Sequence, residues 1–122
     1  QNLRTPKDSA ILDGSIKTIV ICGMHAKPEL DFNLLYFEKI DFQKEIASQI
    51  LNILYIHHIQ SVIIEGGSKT LQTFIDANLW DEARVFTGEN QFLKGTSAPS
   101  FLGEKVLEQR LQTDYLKIYK ND

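Results

Sequence analysis

The chain has 122 residues, of which 43% are hydrophobic and 10% aromatic, enough for one compact core or for part of one. Its 13 Lys and Arg against 16 Asp and Glu give a net charge of −3, and the absence of a basic stripe argues against nucleic acid as a partner. No apolar run approaches the roughly 18 residues of a membrane span, and the single cysteine excludes an internal disulfide framework and a cysteine-rich zinc site. These features predict a soluble, cytoplasmic protein without a membrane partner.

The first half of the chain predicts two strands and a helix. The β-branched run 17–22, which ends at Gly23, is typical of a buried strand, and residues 34–40 predict a weaker strand. Asp41 is a suitable N-cap for a helix over residues 42–57. The apolar residues of that helix recur at helical spacing: Ile46, Ala47, Ile50, Ile53 and Leu54.

The second half predicts a further strand, a helix, another strand and a hairpin. Residues 61–64 are apolar at consecutive positions, a pattern that suits a strand covered on both faces. A second amphipathic helix opens at Ser68, and residues 83–86 predict the next strand. A long loop over 88–101 precedes two alternating runs, 106–111 and 115–119, which predict an antiparallel hairpin. The order of elements indicates an α/β fold with an antiparallel ending.

The most distinctive segment is Glu65-Gly66-Gly67-Ser68-Lys69-Thr70, between a predicted strand and a helix. Two glycines allow a tight turn and the close approach of a ligand, and the helix that follows presents amide groups and a partial positive charge. In these terms the segment is a phosphate cradle, but a plain turn with Ser68 as N-cap explains the same residues equally well. It matches neither the Walker A pattern nor Gly-x-Gly-x-x-Gly.

Other chemically capable residues are fewer. Glu65 ends the apolar strand, where its carboxylate could accept hydrogen bonds from a substrate or, alternatively, from neighbouring backbone amides. His57 and His58 are adjacent, so on a helix they point about 100° apart and predict a solvated helix end rather than metal ligands. Cys22 is predicted to be a small buried residue at a strand end. Spacing identifies no metal site and no catalytic residue.

The runs Ile64-Glu65-Gly66-Gly67-Ser68 and Leu79-Trp80-Asp81-Glu82 together resemble the C-terminal reductase domain of the riboflavin biosynthesis protein RibD. The loop Phe92-Leu93-Lys94-Gly95-Thr96 is similar to the glycine-containing segment before the last strands of that domain, and Leu3-Arg4-Thr5-Pro6 to the turn after one of its earlier strands. The resemblance covers nearly the whole chain. We therefore expect residues 1–122 to form the C-terminal part of a RibD-type reductase domain.

The resemblance implies a dihydrofolate-reductase-like fold, in which a mixed sheet flanked by helices ends in an antiparallel hairpin. It also implies NADPH-dependent reduction of 5-amino-6-(5-phosphoribosylamino)uracil to the ribitylamino product, in riboflavin biosynthesis, by a homodimer. Carried over by position, Glu65 would contact the substrate. The NADPH loop would comprise Gly66, Gly67, Ser68, Lys69, Thr70, Leu71, Gln72 and Thr73.

Two departures from the family qualify this expectation. The family's domain begins well before Leu3, and the chain starts with Gln1 rather than methionine, so we expect a fold incomplete at the N-terminus and little or no activity from this fragment alone. The signature of the deaminase domain that is often fused upstream is also absent. Two alternatives stay open: a pteridine- or dihydrofolate-type reductase relative, and a non-catalytic nucleotide-binding module.

Overall fold

A computed structural model describes residues 5–6, 8–90 and 94–121. The expectations for Leu3, Arg4, Phe92 and Leu93 lie outside these residues. The chain divides into two compact units, Gln1–Val62 and Ile63–Asp122, each of which is described by itself. The elements include both helices and strands, which confirms the α/β prediction. Within the described part, no helix has the length and apolar character needed to cross a bilayer.

The first unit is built on two parallel strands. Strand β1 (Thr18–Gly23) pairs with β2 (Leu35–Ile40), with Thr18 opposite Leu35 at one end and Gly23 opposite Ile40 at the other. A short 3-10 helix (Ala10–Leu12) precedes β1, and helix α1 (Ile46–Ile56) follows β2. Both predicted strands are confirmed. Among the described residues of this unit, the buried side chains are Leu12, Cys22, Leu35, Ile40, Ala47 and Ile53, so the prediction that Cys22 is buried is also confirmed.

Helix α1 begins four residues later than the sequence predicts, because a different carboxylate caps it. The side chain of Glu45, the N-cap, accepts hydrogen bonds from the amides of Ala47 at 2.9 Å and Ser48 at 2.7 Å. Asp41, the predicted N-cap, instead accepts from the amide of Gln43 at 2.9 Å. This short-range bond closes a separate turn ahead of the helix, so the assignment of Asp41 as the cap is wrong.

The second unit contains helix α2 (Ser68–Asp76) and strands β3 (Glu82–Thr87), β4 (Glu104–Leu111) and β5 (Asp114–Lys120). The sheet order is β3-β5-β4 with antiparallel pairing throughout, which confirms the predicted hairpin. The strand predicted over residues 61–64 is not formed. Apolar composition favours such a strand, but a ladder also needs a neighbour, and none of the described strands pairs with this segment. The chain thus contains both the parallel and the antiparallel pairing of the implied mixed sheet.

An aromatic cluster fixes the end of the long loop between β3 and β4. The ring of Phe101 lies edge to face between Trp80 and Tyr119, with centroid distances of 5.4 and 5.1 Å. Gly103 follows in a space that no larger residue fits. A Cβ there would lie 2.7 Å from the carbonyl oxygen of Lys120 and 2.8 Å from Cη2 of Trp80. Phe101 and Gly103 are therefore packed closely against β5, whereas Leu102 between them is exposed.

Both helices end in the same hydrogen-bonding pattern with a left-handed residue that is not glycine. After α1, His58 has φ 59° and donates to the Tyr55 carbonyl, while Ile59 donates to the Leu54 carbonyl. After α2, Asn78 has φ 55°, and the same pair of bonds runs from residues 78 and 79 to residues 75 and 74. This pair of bonds defines the Schellman motif, which satisfies carbonyls that the helix leaves unpaired.

Candidate functional site

The glycine turn before α2 uses its two glycines for different reasons. Gly66 has φ 136°, a backbone conformation that residues with a side chain rarely adopt, so the chain path itself requires glycine there. Gly67 has φ −69°, which any residue can adopt, and no atom lies within 4 Å of the place where its Cβ would be. The peptide bond that joins the two is cis. Gly67 thus leaves exposed, open space beside the turn.

Helix α2 begins directly on this open space. Gly67 is the N-cap and provides no side chain to accept from the first-turn amides, which have no partner within the helix. The first turn contains no acidic residue, and Lys69 and Thr70 are exposed in it. The amides, the helix dipole and the Lys69 ammonium all favour an anion at this end of α2.

Glu65 lies immediately before the turn with its side chain exposed. Within the described residues, its carboxylate makes no hydrogen bond or ion pair with the protein. The structural alternative that the sequence left open, in which neighbouring backbone amides hold Glu65, is therefore not what the structure contains. The carboxylate is available to accept hydrogen bonds from N–H or hydroxyl groups of a ligand.

The remaining residues of the implied NADPH loop lie farther along α2 and are engaged within the protein. Leu71 is half-buried, and its amide donates to the Gly67 carbonyl at 3.1 Å. The hydroxyl of Thr73 donates to the Lys69 carbonyl at 2.9 Å. The carboxamide of Gln72 bonds to Asp76 and to the backbone of Ser100. The structure therefore gathers residues 66–70 at one accessible point, whereas residues 71–73 are engaged in bonds within α2 or, for Gln72, also with Ser100.

A second candidate lies in the first unit, where a cavity of about 1220 Å³ runs along β1 to the carboxyl ends of the parallel strands. Its walls are largely apolar, with Ile19, Val20 and Ile40 among them, and His25 and Asp41 add polar groups beyond the strand ends. Ligand sites of α/β proteins open at this edge of a sheet. Sequence reasoning missed this cavity because it is formed by segments far apart in the chain. The signal for it was the pair of polar residues just after the two strands.

His57 is not part of a solvated helix end, contrary to the prediction. Its side chain is only 11% exposed, and Nε2 lies 2.6 Å from Oε1 of Glu38 on β2. The ring also packs edge to face against Tyr36 at 5.0 Å. The periodicity of α1 does not reveal this role, because Glu38 and Tyr36 belong to another element. The group ties the end of α1 to β2. His58, by contrast, is exposed.

Metal-binding chemistry is not indicated by the side chains that the structure describes. Among them, no group of three or more His, Cys, Asp and Glu residues is arranged to hold a metal ion. The glycine turn instead presents backbone amides, two hydroxyl groups and the Lys69 ammonium.

Comparison with known proteins identifies one family. The family model of the RibD C-terminal domain matches residues 1–119. No curated protein matches the chain.

Proposed function

Since the chain belongs to the family of RibD C-terminal domains, a reductase-type domain of riboflavin biosynthesis that typically binds a nicotinamide cofactor, we propose that it binds NADPH at the glycine turn before α2. The reaction that we propose is reduction of the ribosyl group of 5-amino-6-(5-phosphoribosylamino)uracil to ribityl. The observation that carries the proposal is the open space at Gly67 in front of the uncapped helix.

The residues of the turn fit a pyrophosphate. The amides at the start of α2 would donate to phosphate oxygens, and Lys69 would balance their charge, while Ser68 and Thr70 add hydroxyl donors. Gly67 would let the backbone approach the phosphates without a Cβ in the way. When bound, the dihydronicotinamide supplies the hydride, so the protein has to bind and orient the two reactants. Glu65 would accept hydrogen bonds from the pyrimidine substrate.

Gly67→Ala tests the cofactor site, because the backbone and the space around Gly67 both permit alanine. We expect the variant to keep its thermal midpoint but to bind NADPH at least about tenfold more weakly, since the methyl group occupies the approach to the phosphates. The measurement is a titration followed by nicotinamide fluorescence. Gly88→Ala is the matched control, since its Cβ would make an ordinary contact 3.6 Å from Asp114. Equal affinity in Gly67→Ala and wild type would contradict the proposal.

Glu65→Gln tests the substrate contact separately. The variant keeps a side chain of the same size but loses the charge, so we expect weaker binding of the pyrimidine and unchanged binding of NADPH. Oxidation of NADPH with the pyrimidine but not with a pteridine supports the riboflavin reaction over a dihydrofolate-type relative. Binding of NADPH without any oxidation by the full-length protein would favour the non-catalytic module, because inactivity is expected of the fragment under either reading. Family resemblance also supports a cytoplasmic homodimer. Sedimentation velocity tests whether the protein is a dimer in solution.

A further inference from the structure

The side chain of Gln72 joins α2 to the long loop between β3 and β4. Its Nε2 donates to the Ser100 carbonyl at 3.0 Å, and its Oε1 accepts from the Ser100 amide at 2.9 Å. The second Nε2 hydrogen is directed to Oδ1 of Asp76 at 2.7 Å. Flipping the carboxamide would put its oxygen against two acceptors, so the network fixes the orientation of the group.

The loop needs these bonds because it has little secondary structure of its own. Residues 94–103 belong to no helix or strand, so no helical or ladder hydrogen bonds hold their backbone in place. Gln72 satisfies both backbone groups of Ser100, directly before the aromatic contacts that hold Phe101. The exposed residues Gly95, Thr96 and Ser97 lie on the other side of this attachment point along the chain.

The attachment also lies on a particular face of α2. Ser68, Gln72 and Asp76 are spaced four residues apart, so they share one face, and the first of them opens the helix at the glycine turn. The hydrogen bonds between Gln72, the middle residue of the three, and Ser100 therefore hold the loop on the same face as Ser68. On that loop, Gly95, Thr96 and Ser97 carry exposed amide and hydroxyl donors of the kind that bind phosphate, whereas Ser100 is the attachment point.

We propose that Gln72 is a positioning residue, which holds the 94–100 loop on the Ser68 face of α2 and strengthens NADPH binding through that loop. Gln72 would therefore act without touching the cofactor, unlike the direct contact that family resemblance implies. This inference rests on the proposed function, because the ligand it invokes is the NADPH of the glycine turn.

The test uses Gln72→Met, which keeps the length of the side chain and removes its hydrogen bonds. We expect the Ser100 amide to exchange with solvent at least about fivefold faster, and NADPH to bind roughly five- to tenfold more weakly. Ser100→Ala is the matched control, since Gln72 bonds only to the backbone of Ser100, and it should behave like wild type. Gln72→Glu, which keeps the acceptor for the Ser100 amide but replaces both donors by a second carboxylate oxygen, is a second variant if Gln72→Met folds poorly.

Amide chemical shifts provide a readout that general destabilisation would not move. In wild type, NADPH should shift the amides of Gly67 and Ser68 together with those of Gly95 to Ser97. In Gln72→Met the shifts at residues 67 and 68 should persist and those in the loop should disappear. Unchanged loop shifts, or unchanged Ser100 exchange, in a folded Gln72 variant would overturn the positioning role. Absence of any NADPH shift in wild type would overturn the proposed function and the ligand role of Gln72, while Ser100 exchange would still report on the attachment.

Discussion

Gly103→Ala should destabilise the protein, because Gly103 lies against the carbonyl group of Lys120 and the ring of Trp80, which leave no room for a methyl group. A Cβ at position 103 would come within 2.7 Å of the Lys120 carbonyl oxygen and 2.8 Å of the Trp80 ring. Real Cβ atoms do not tolerate such distances, and the Lys120 carbonyl belongs to strand β5, which cannot move without disturbing its ladders. Overpacking of this kind costs about 1–3 kcal/mol. For a chain of this length that corresponds to a fall in Tm of roughly 3–15 °C.

Equilibrium unfolding in urea, followed by circular dichroism and by tryptophan fluorescence, measures this loss. Trp80 is the only tryptophan of the chain, so its emission in the folded state reports directly on the contact with residue 103. Gly95→Ala is the matched control, because no atom lies within 4 Å of its Cβ position and neither glycine has a left-handed φ. A Gly103→Ala variant as stable as Gly95→Ala, with unchanged Trp80 emission, would refute the packing described for Phe101 and Gly103.

Three further substitutions test the first unit. Hydrogen bonding from Ser48 holds the pKa of Glu45 below its ordinary value of 4.5, so the charged form stabilises the fold above that pH, and the benefit is lost as pH falls through the lowered pKa. The Tm advantage of wild type over Glu45→Gln should accordingly shrink below about pH 4.5; a constant difference would contradict the cap. His57→Ala should cost about 1–3 kcal/mol in urea unfolding by removing the bond to Glu38, whereas the same change at exposed His58 should cost much less; equal effects would contradict the pairing. Ile40→Val, at a residue only 2% exposed, should cost about 0.5–1.5 kcal/mol, and the same measurement on Ile11→Val, where Ile11 is 61% exposed, should find little loss.

Elements with strong local patterns could be predicted from the sequence. The β-branched run before Gly23 and the alternating runs around Thr113 specify strands through short-range preferences, and the structure contains both. The cap of α1 could not be predicted, because Asp41 and Glu45 are both acceptable caps and only the surrounding turns decide between them. Residues 61–64 have the composition of a strand, but pairing depends on a neighbour that composition does not reveal.

The sequence indicates where the candidate site lies but does not decide between an anion cradle and a plain turn. The glycines and the helix start indicated an anion cradle, and a plain turn remained equally possible. The structure adds that the backbone conformation at position 66 requires glycine, whereas the conformation at position 67 does not. Two adjacent glycines in a sequence do not reveal this difference. Gln72 was assigned to the cofactor by family resemblance alone. Its attachment to Ser100 joins positions 28 residues apart, which no local pattern predicts.

The two Schellman motifs constrain their sequences to different degrees, although their backbones match. His58 contributes only a left-handed conformation, so glycine could replace it and relieve about 1 kcal/mol of conformational cost. Asn78 contributes the same conformation, but its side-chain oxygen also accepts from Nδ2 of Asn121 at 3.0 Å, and Asn121 itself donates to the Trp80 carbonyl. Glycine at position 78 would end the helix equally well but would remove one of the hydrogen bonds that hold Asn121, the residue after β5. Glycine can therefore replace His58 at the end of α1. Asn78, in contrast, both ends α2 and helps to hold the residue that follows β5.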